Sequence, residues 1–254
     1  MKAHFKRVPA VDKTFAILDL VSKSKEPLGV SEITRALNFN KSTVFNITHT
    51  LADLEILKQA PDNKFGLGIK FYILGRASRI GSEIISTIHP FLKTINQKTN
   101  LSVFLGVRSG LHAIILDKVD AAFDIKISSE IGMRLPLLAG AGGKALISLF
   151  SDDEVDKILF QNRLKRYTRS TCVDKDKFKK MIKKIRMEGL AVDKEEYIEG
   201  IRALAVPLKI NNGNPQFAIW AVGLKGQIKN EVIGQYSELL KKIAAEIEIQ
   251  LTDE

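Results

Sequence analysis

Residues 30–54 read VSEITRALNFNKSTVFNITHTLADL, and this stretch decides the fold. Val30 to Leu37 places Ile33, Ala36 and Leu37 on one apolar helical face, with Gly29 as N-cap and Glu32 in the first turn. Asn38-Phe39-Asn40 makes a turn, and Asn40 is a good N-cap for a further helix. From Lys41 to about Glu55 the apolar residues Val44, Ile47, Leu51 and Leu54 recur at spacings of three and four, the stripe of a helix with one buried face. Upstream, Val11, Phe15, Leu18 and Val21 mark a packing helix that ends at Lys23-Ser24-Lys25-Glu26-Pro27, because proline cannot continue it. A packing helix followed by two short helices across a tight turn is helix-turn-helix geometry.

The residues left outside on the third helix are Lys41, Ser42, Thr43, Phe45, Asn46 and His49. They are mostly hydrogen-bonding groups at a helix N-terminus, where a recognition helix meets base edges while its free N–H groups and basic side chains hold phosphates. A solvated polar face rich in capping residues looks the same, so the next segment matters. Ile56–Ala60 and Phe65–Leu67 are short apolar runs flanking Pro61-Asp62-Asn63-Lys64, a strong turn former, and together predict a β-hairpin. A hairpin directly after the third helix is the wing of a winged helix, with Lys58 and Lys64 placed to touch the DNA backbone. Ser31, opening the second helix, completes the predicted DNA-binding set.

Charge agrees with that reading. The 254 residues carry a net charge of +10 with an isoelectric point near 9.5. Residues 1–80 hold 13 lysines and arginines against 7 acids, a net of +6, while the remaining 174 residues have a net of only +4. An excess at the N-terminal end suits a domain that meets a polyanion. Composition is otherwise that of an ordinary globular protein, 45% hydrophobic and 27% charged. No signal peptide and no apolar run long enough to span a bilayer is evident, so the expected location is cytoplasmic. The single cysteine, Cys172, reads as a loop thiol. His4, His49, His89 and His112 are scattered, Glu195 and Glu196 are adjacent and point apart, and no metal-ligand spacing appears. The expectation is a non-enzyme without cofactor or metal.

Beyond the hairpin, Gly68–Arg79 and Ser82–Asn96 read as helices, which places a helical linker at 76–98 between a DNA-binding domain at 1–75 and a second domain at 99–254. In the second domain, Leu101–Val107 and His112–Val119 predict a hairpin across Ser109-Gly110, and Phe123–Ile127 a third strand. Gly140–Leu149 is a helix opened by glycines, and Ser151-Asp152-Asp153-Glu154 is a capping box for the next. Lys175–Met187 is strongly amphipathic through Phe178, Met181, Ile182 and Ile185. Ile201–Leu208 and Phe217–Leu224 are strands joined through Asn211-Asn212-Gly213-Asn214-Pro215, and Glu231–Leu251 is a C-terminal helix. The fold class is α+β, with helices on an antiparallel sheet.

Several motifs together carry a resemblance. Val11-Asp12-Lys13, Lys41-Ser42-Thr43-Val44 and Phe65-Gly66-Leu67-Gly68 stand in the first domain. Gly132 with Leu135-Pro136-Leu137, Gly143-Lys144-Ala145, Gly189-Leu190-Ala191-Val192-Asp193 with Glu195-Glu196, Gly200-Ile201-Arg202 and Ala205-Val206-Pro207 stand in the second. In order and spacing the chain resembles the IclR family of transcriptional regulators over nearly its whole length. The resemblance implies a winged helix joined by a linker helix to a GAF-like effector domain, and dimers, or dimers of dimers, on palindromic double-stranded operators. The chain departs from the family at two reading positions: a basic residue is usual where Asn46 stands, and His is common where Phe45 stands.

By the same resemblance a small organic acid binds among Ile127, Leu135, Ala141, Gly142, Asp193, Ile201 and Ala203. Ala139–Ala145 is not a phosphate loop, since that pattern needs Gly at Leu138 and Ser or Thr at Ala145. A Gly-rich turn into a helix still offers free N–H groups to an anion. Ala203 stands where a small polar residue is common and Leu138 where His is common, so the expected effector is less polar than glyoxylate or pyruvate. Two alternatives remain: a regulator whose pocket is vestigial, and an enzyme using the GAF-like domain.

Overall fold

The computed structural model describes residues 6–252 other than 78, 124–125 and 211–215, with side chains outside 76–82. The chain divides into two compact units, Met1–Ser82 and Glu83–Glu254. Among the described residues no helix is long and apolar enough to cross a membrane.

The first unit runs α1 (Pro9–Lys23), β1 (Leu28–Gly29), α2 (Val30–Leu37), α3 (Lys41–Asp53), β2 (Leu57–Gln59), β3 (Lys64–Leu67) and α4 (Lys70–Ala77). Its antiparallel sheet has the order β1-β3-β2, so the hairpin gains a third strand, a two-residue one that is too short to show a period. The boundaries follow local chemistry. Gly29 N–H donates to Glu32 Oε2 at 2.7 Å, opening α2, and Asn38 ends it at φ +51, a left-handed conformation that Asn tolerates. Asn40 Oδ1 then accepts from Ser42 N–H at 3.0 Å, capping α3.

The core is Ile17, Leu18, Val21, Ile33, Val44, Leu51, Leu57 and Phe65. It corrects two expected stripes. Val11 and Phe15 are exposed, because the face of α1 that meets the rest of the unit runs through Ile17, Leu18 and Val21. Leu54, just past the end of α3, is 58% exposed, and Thr48 within the helix is fully buried in its place. Thr48 fits there because its hydroxyl bonds back to the Val44 and Phe45 carbonyls at 2.9 and 3.0 Å, so no polar group is left unsatisfied.

The second unit comprises α5 (Arg79–Thr99, which begins in the first), β4 (Ser102–Ser109), β5 (His112–Val119), β6 (Arg134–Pro136), α6 (Gly140–Ser148), α7 (Asp152–Gln161), α8 (Lys175–Glu188), β7 (Ala191–Lys194), β8 (Ile201–Leu208), β9 (Phe217–Leu224) and α9 (Asn230–Thr252). The six strands form one antiparallel sheet in the order β6-β5-β4-β9-β8-β7. Both faces are covered, and strand alternation assigns residues to each. Leu101, Val103 and Leu105, then Leu204, Val206 and Leu208, then Phe217, Ile219 and Ala221, pack with α5 and α9. The opposite residues, Phe104, Ala113, Ile115, Ala203, Ala205, Ala218 and Trp220, pack with α6, α7 and α8. That second face is rich in alanine, so helices approach closely or leave space.

The capping box forms as expected, Ser151 N–H donating to Glu154 Oε2 at 2.9 Å and Glu154 N–H to Ser151 Oγ at 3.3 Å. The strand expected over Phe123–Ile127 is corrected. Positions 124 and 125 lie outside the described residues, Phe123, Lys126 and Ile127 belong to no strand, and β5 pairs with β4 on one side and β6 on the other. The Asn211–Pro215 connection lies outside the described residues.

Candidate functional site

In the first unit α3 presents one continuous outward stripe. Lys41, Ser42, Phe45 and Asn46 are exposed, and Thr43 is half-buried. The Ser42 hydroxyl donates to Asn40 Oδ1 at 2.8 Å, so it belongs to the cap as well as to the surface. His49 is not free on this face. It lies 4.2 Å from the Phe45 ring and 5.4 Å, edge-on, from Phe65 of β3, centroid to centroid. Ser31, Phe45, His49 and Phe65 line a common cleft of about 420 Å³ with Gln59 and Asn63 of the hairpin. Lys58 is exposed on β2, and Lys64, half-buried at the start of β3, has Asp62 at 3.9 Å. The structure thus gathers the residues expected to contact DNA into two neighbouring sets, a polar stripe on α3 and an aromatic cleft between helix and hairpin.

In the second unit a cavity of about 360 Å³ lies between α6 and the alanine-rich face of the sheet. All seven residues expected from sequence, Ile127, Leu135, Ala141, Gly142, Asp193, Ile201 and Ala203, line it. Strand register explains three of the walls: Asp193, Ala203 and Val222 stand abreast on β7, β8 and β9, and the small Ala203 leaves room between its neighbours. The floor is aromatic. Trp220 lies under α6 with Phe104 stacked at 6.1 Å. A Cβ on Gly142 would lie 2.9 Å from the indole, and one on Gly106 of β4 2.1 Å from it, so glycine at both makes space for the ring. The opposite wall is the segment after β5, held where Ser128 Oγ donates to Asp120 Oδ1 at 2.8 Å and accepts from Lys118 Nζ at 3.1 Å. Ile127 turns apolar surface toward the cavity rather than toward a sheet neighbour.

Polar groups on the cavity wall are few and concentrated. The first turn of α6 carries no side-chain cap, and Gly140, Ala141, Gly142 and Gly143 all line the cavity. Its unpaired N–H groups and positive helix end suit an anion. Beside them Asp193 is 5% exposed, and its Oδ1 accepts from Glu196 N–H at 2.6 Å. Burial pushes its carboxyl up to about 6, against the pull of the Glu196 N–H and of Lys144. Lys144 of α6 is fully buried and donates to the Val192 carbonyl at 2.8 Å and to Glu196 Oε1 at 2.6 Å. This ion pair ties α6 to the end of β7 and the turn that follows it, beside Asp193. Glu195 points away and meets Lys225 at 2.9 Å.

Sequence reasoning missed Phe104, Lys126, Ser128, Ser129, Tyr197 and Trp220 on this wall. Strand parity would have put Trp220 on the same face as Ala218, had it been clear which face is hollow. Lys126, Ser128, Ser129 and Tyr197 lie outside helices and strands, where no period exists to read.

Residues 79–249 match the family described as bacterial transcriptional regulator IclR C-terminal, and residues 10–61 match the IclR helix-turn-helix domain. The chain belongs to the IclR family. It is a DNA-binding transcriptional regulator with that family's two-part fold. The HTH-type transcriptional repressor AllR of Escherichia coli (strain K12) is 26% identical over 249 residues, 97% of this chain and 91% of AllR. The HTH-type transcriptional regulator KdgR of the same strain is 28% identical over 202 residues, 79% of this chain and 76% of KdgR. Among solved structures, the Thermotoga maritima IclR superimposes with a TM-score of 0.75 at 28% identity, over 96% of this chain and 99% of that one. An IclR homologue from Microbacterium hydrocarbonoxydans, complexed with 4-hydroxybenzoate, gives 0.84 at 18% identity over 96% and 100%, a likeness of fold.

Proposed function

We propose that this IclR-family regulator senses a small organic acid with an apolar body, bound in the cavity between α6 and the sheet, and that occupancy of the cavity changes operator affinity. The observation that carries this reading is the wall of that cavity: an uncapped helix end beside one buried carboxylate, with aromatic and aliphatic side chains over most of the rest. The acid's carboxylate lies on the α6 amides, and its body lies against Trp220, Phe104 and Leu135. The 4-hydroxybenzoate held by the Microbacterium homologue is an acid of this kind in a protein of the same fold. The regulator acts on palindromic double-stranded DNA as a homodimer or a dimer of dimers.

Titration calorimetry with a panel of acids tests the site. Aromatic and longer-chain acids are expected to bind, with the fluorescence of Trp220, the single tryptophan, changing in step. Binding confined to glyoxylate and pyruvate would overturn the apolar-acid reading, and no binding by any acid would make the pocket vestigial.

A further inference from the structure

The recognition helix carries an unusual pair. Phe45 is 51% exposed on a stripe that is otherwise polar, where an apolar ring is costly to leave in water. It is also held in place. The His49 ring lies against it at 4.2 Å, and His49 in turn abuts Phe65, which is fully buried in the wing. An exposed ring braced from beneath by two further rings is preorganised for an apolar contact. Asn46, the next residue, is exposed beside it. Lys41 is the only lysine or arginine between residues 36 and 57, and it stands at the start of α3, where phosphates are met. The centre of the reading face therefore holds no guanidinium or ammonium group for the two acceptors of guanine. Its side chains match the other two major-groove features: an amide that can bond adenine bidentately and an apolar surface for the thymine methyl.

We propose that Phe45 reads the C5-methyl of a thymine and Asn46 the N6/N7 edge of an adenine in a neighbouring pair, so that the centre of each recognised site is an A·T step. His49 acts through Phe45 as a positioning residue. The inference rests on α3 as the base-reading helix.

The full-length protein is used to select sites from a random DNA pool. Each thymine of the selected site is then replaced singly by deoxyuridine, which removes the methyl and keeps the pairing, and each adenine by 7-deazaadenine. One deoxyuridine position is expected to weaken binding about fourfold, the transfer free energy of one methyl. One adjacent 7-deazaadenine position, which loses one of the two hydrogen bonds, is expected to weaken it roughly two- to tenfold. Phe45→Ala should bind the thymine and deoxyuridine operators equally, and Asn46→Ala should ignore 7-deazaadenine. His49→Ala should narrow the thymine preference without abolishing binding. The deoxyuridine scan on the unaltered protein needs no variant to fold. A selected site with G·C pairs at its centre, or equal affinity for every deoxyuridine operator, overturns the inference and leaves α3 as the reading helix. A pool that yields no consensus removes both.

Discussion

Replacing Asp193 with Asn should abolish the pH dependence expected of acid binding in the cavity. Asp193 Oδ2 lies 3.6 Å from where a Cβ on Gly140 would stand, so an anion on the α6 amides would be its near neighbour. Two unit charges about 4 Å apart repel by about 4 kcal/mol at an effective dielectric of 20. In the empty protein the carboxyl is pushed up to about 6. A bound carboxylate raises it further by like-charge repulsion. Above about 6 the free protein has lost the proton while the complex keeps it, so binding takes up one proton. Affinity should then rise about tenfold for each pH unit lowered from 8 to 7, and level off below 6, where the free protein is already protonated. Asp193→Asn should bind with little pH dependence and, at pH 8, up to a hundredfold tighter than the unaltered protein. Calorimetry in two buffers of different ionisation enthalpy counts the proton directly. Zero proton uptake with Asp193→Asn weaker at every pH would refute the reasoning, since it would mean that Asp193 accepts a hydrogen bond from the ligand.

Gly143→Ala should destabilise the second unit by about 1–3 kcal/mol or more in urea melts, since its Cβ would lie 2.3 Å from the Leu137 carbonyl oxygen, a backbone atom with no freedom to yield. Gly226→Ala, with nothing within 4 Å, serves as the control and should lie within about 0.5 kcal/mol of the parent. Lys144→Ala strips the partner from Glu196 inside the fold and should cost about 3–5 kcal/mol by the same melts, a loss that Glu196→Gln in the same chain should partly restore. Lys41→Ala should weaken binding to all DNA sequences alike and reduce the salt slope of affinity by about one, as measured by anisotropy over a salt series.

Much of the fold was legible because its helices are long and its periods clean. Phe178, Ile182 and Ile185 of α8 are buried as their spacing predicts. The misreadings share physical causes. Thr48 is polar yet belongs to the core, because its hydroxyl is satisfied within its own helix, so a pattern read from hydrophobicity shifts to Leu54. β1, β6 and β7 have two, three and four residues, too few to establish alternation. Ile127 is apolar because it faces a cavity, and a cavity leaves no period. Lys144 looks like a surface residue in sequence. Its partners, Val192 and Glu196, come from a segment 48 and 52 residues further on, and only the folded chain brings them together. The seven cavity residues were found through family resemblance, while the charge balance among Asp193, Lys144 and Glu196 needed coordinates.

The most direct test of the account is operator affinity with the cavity empty and filled. Fluorescence anisotropy on the selected operator, with and without a saturating acid from the calorimetric panel, gives the coupling between the two sites. Coupled sites should change the operator Kd by at least about fivefold, with the operator changing the acid's Kd by the same factor. An operator Kd that stays the same while calorimetry shows the cavity occupied would contradict it.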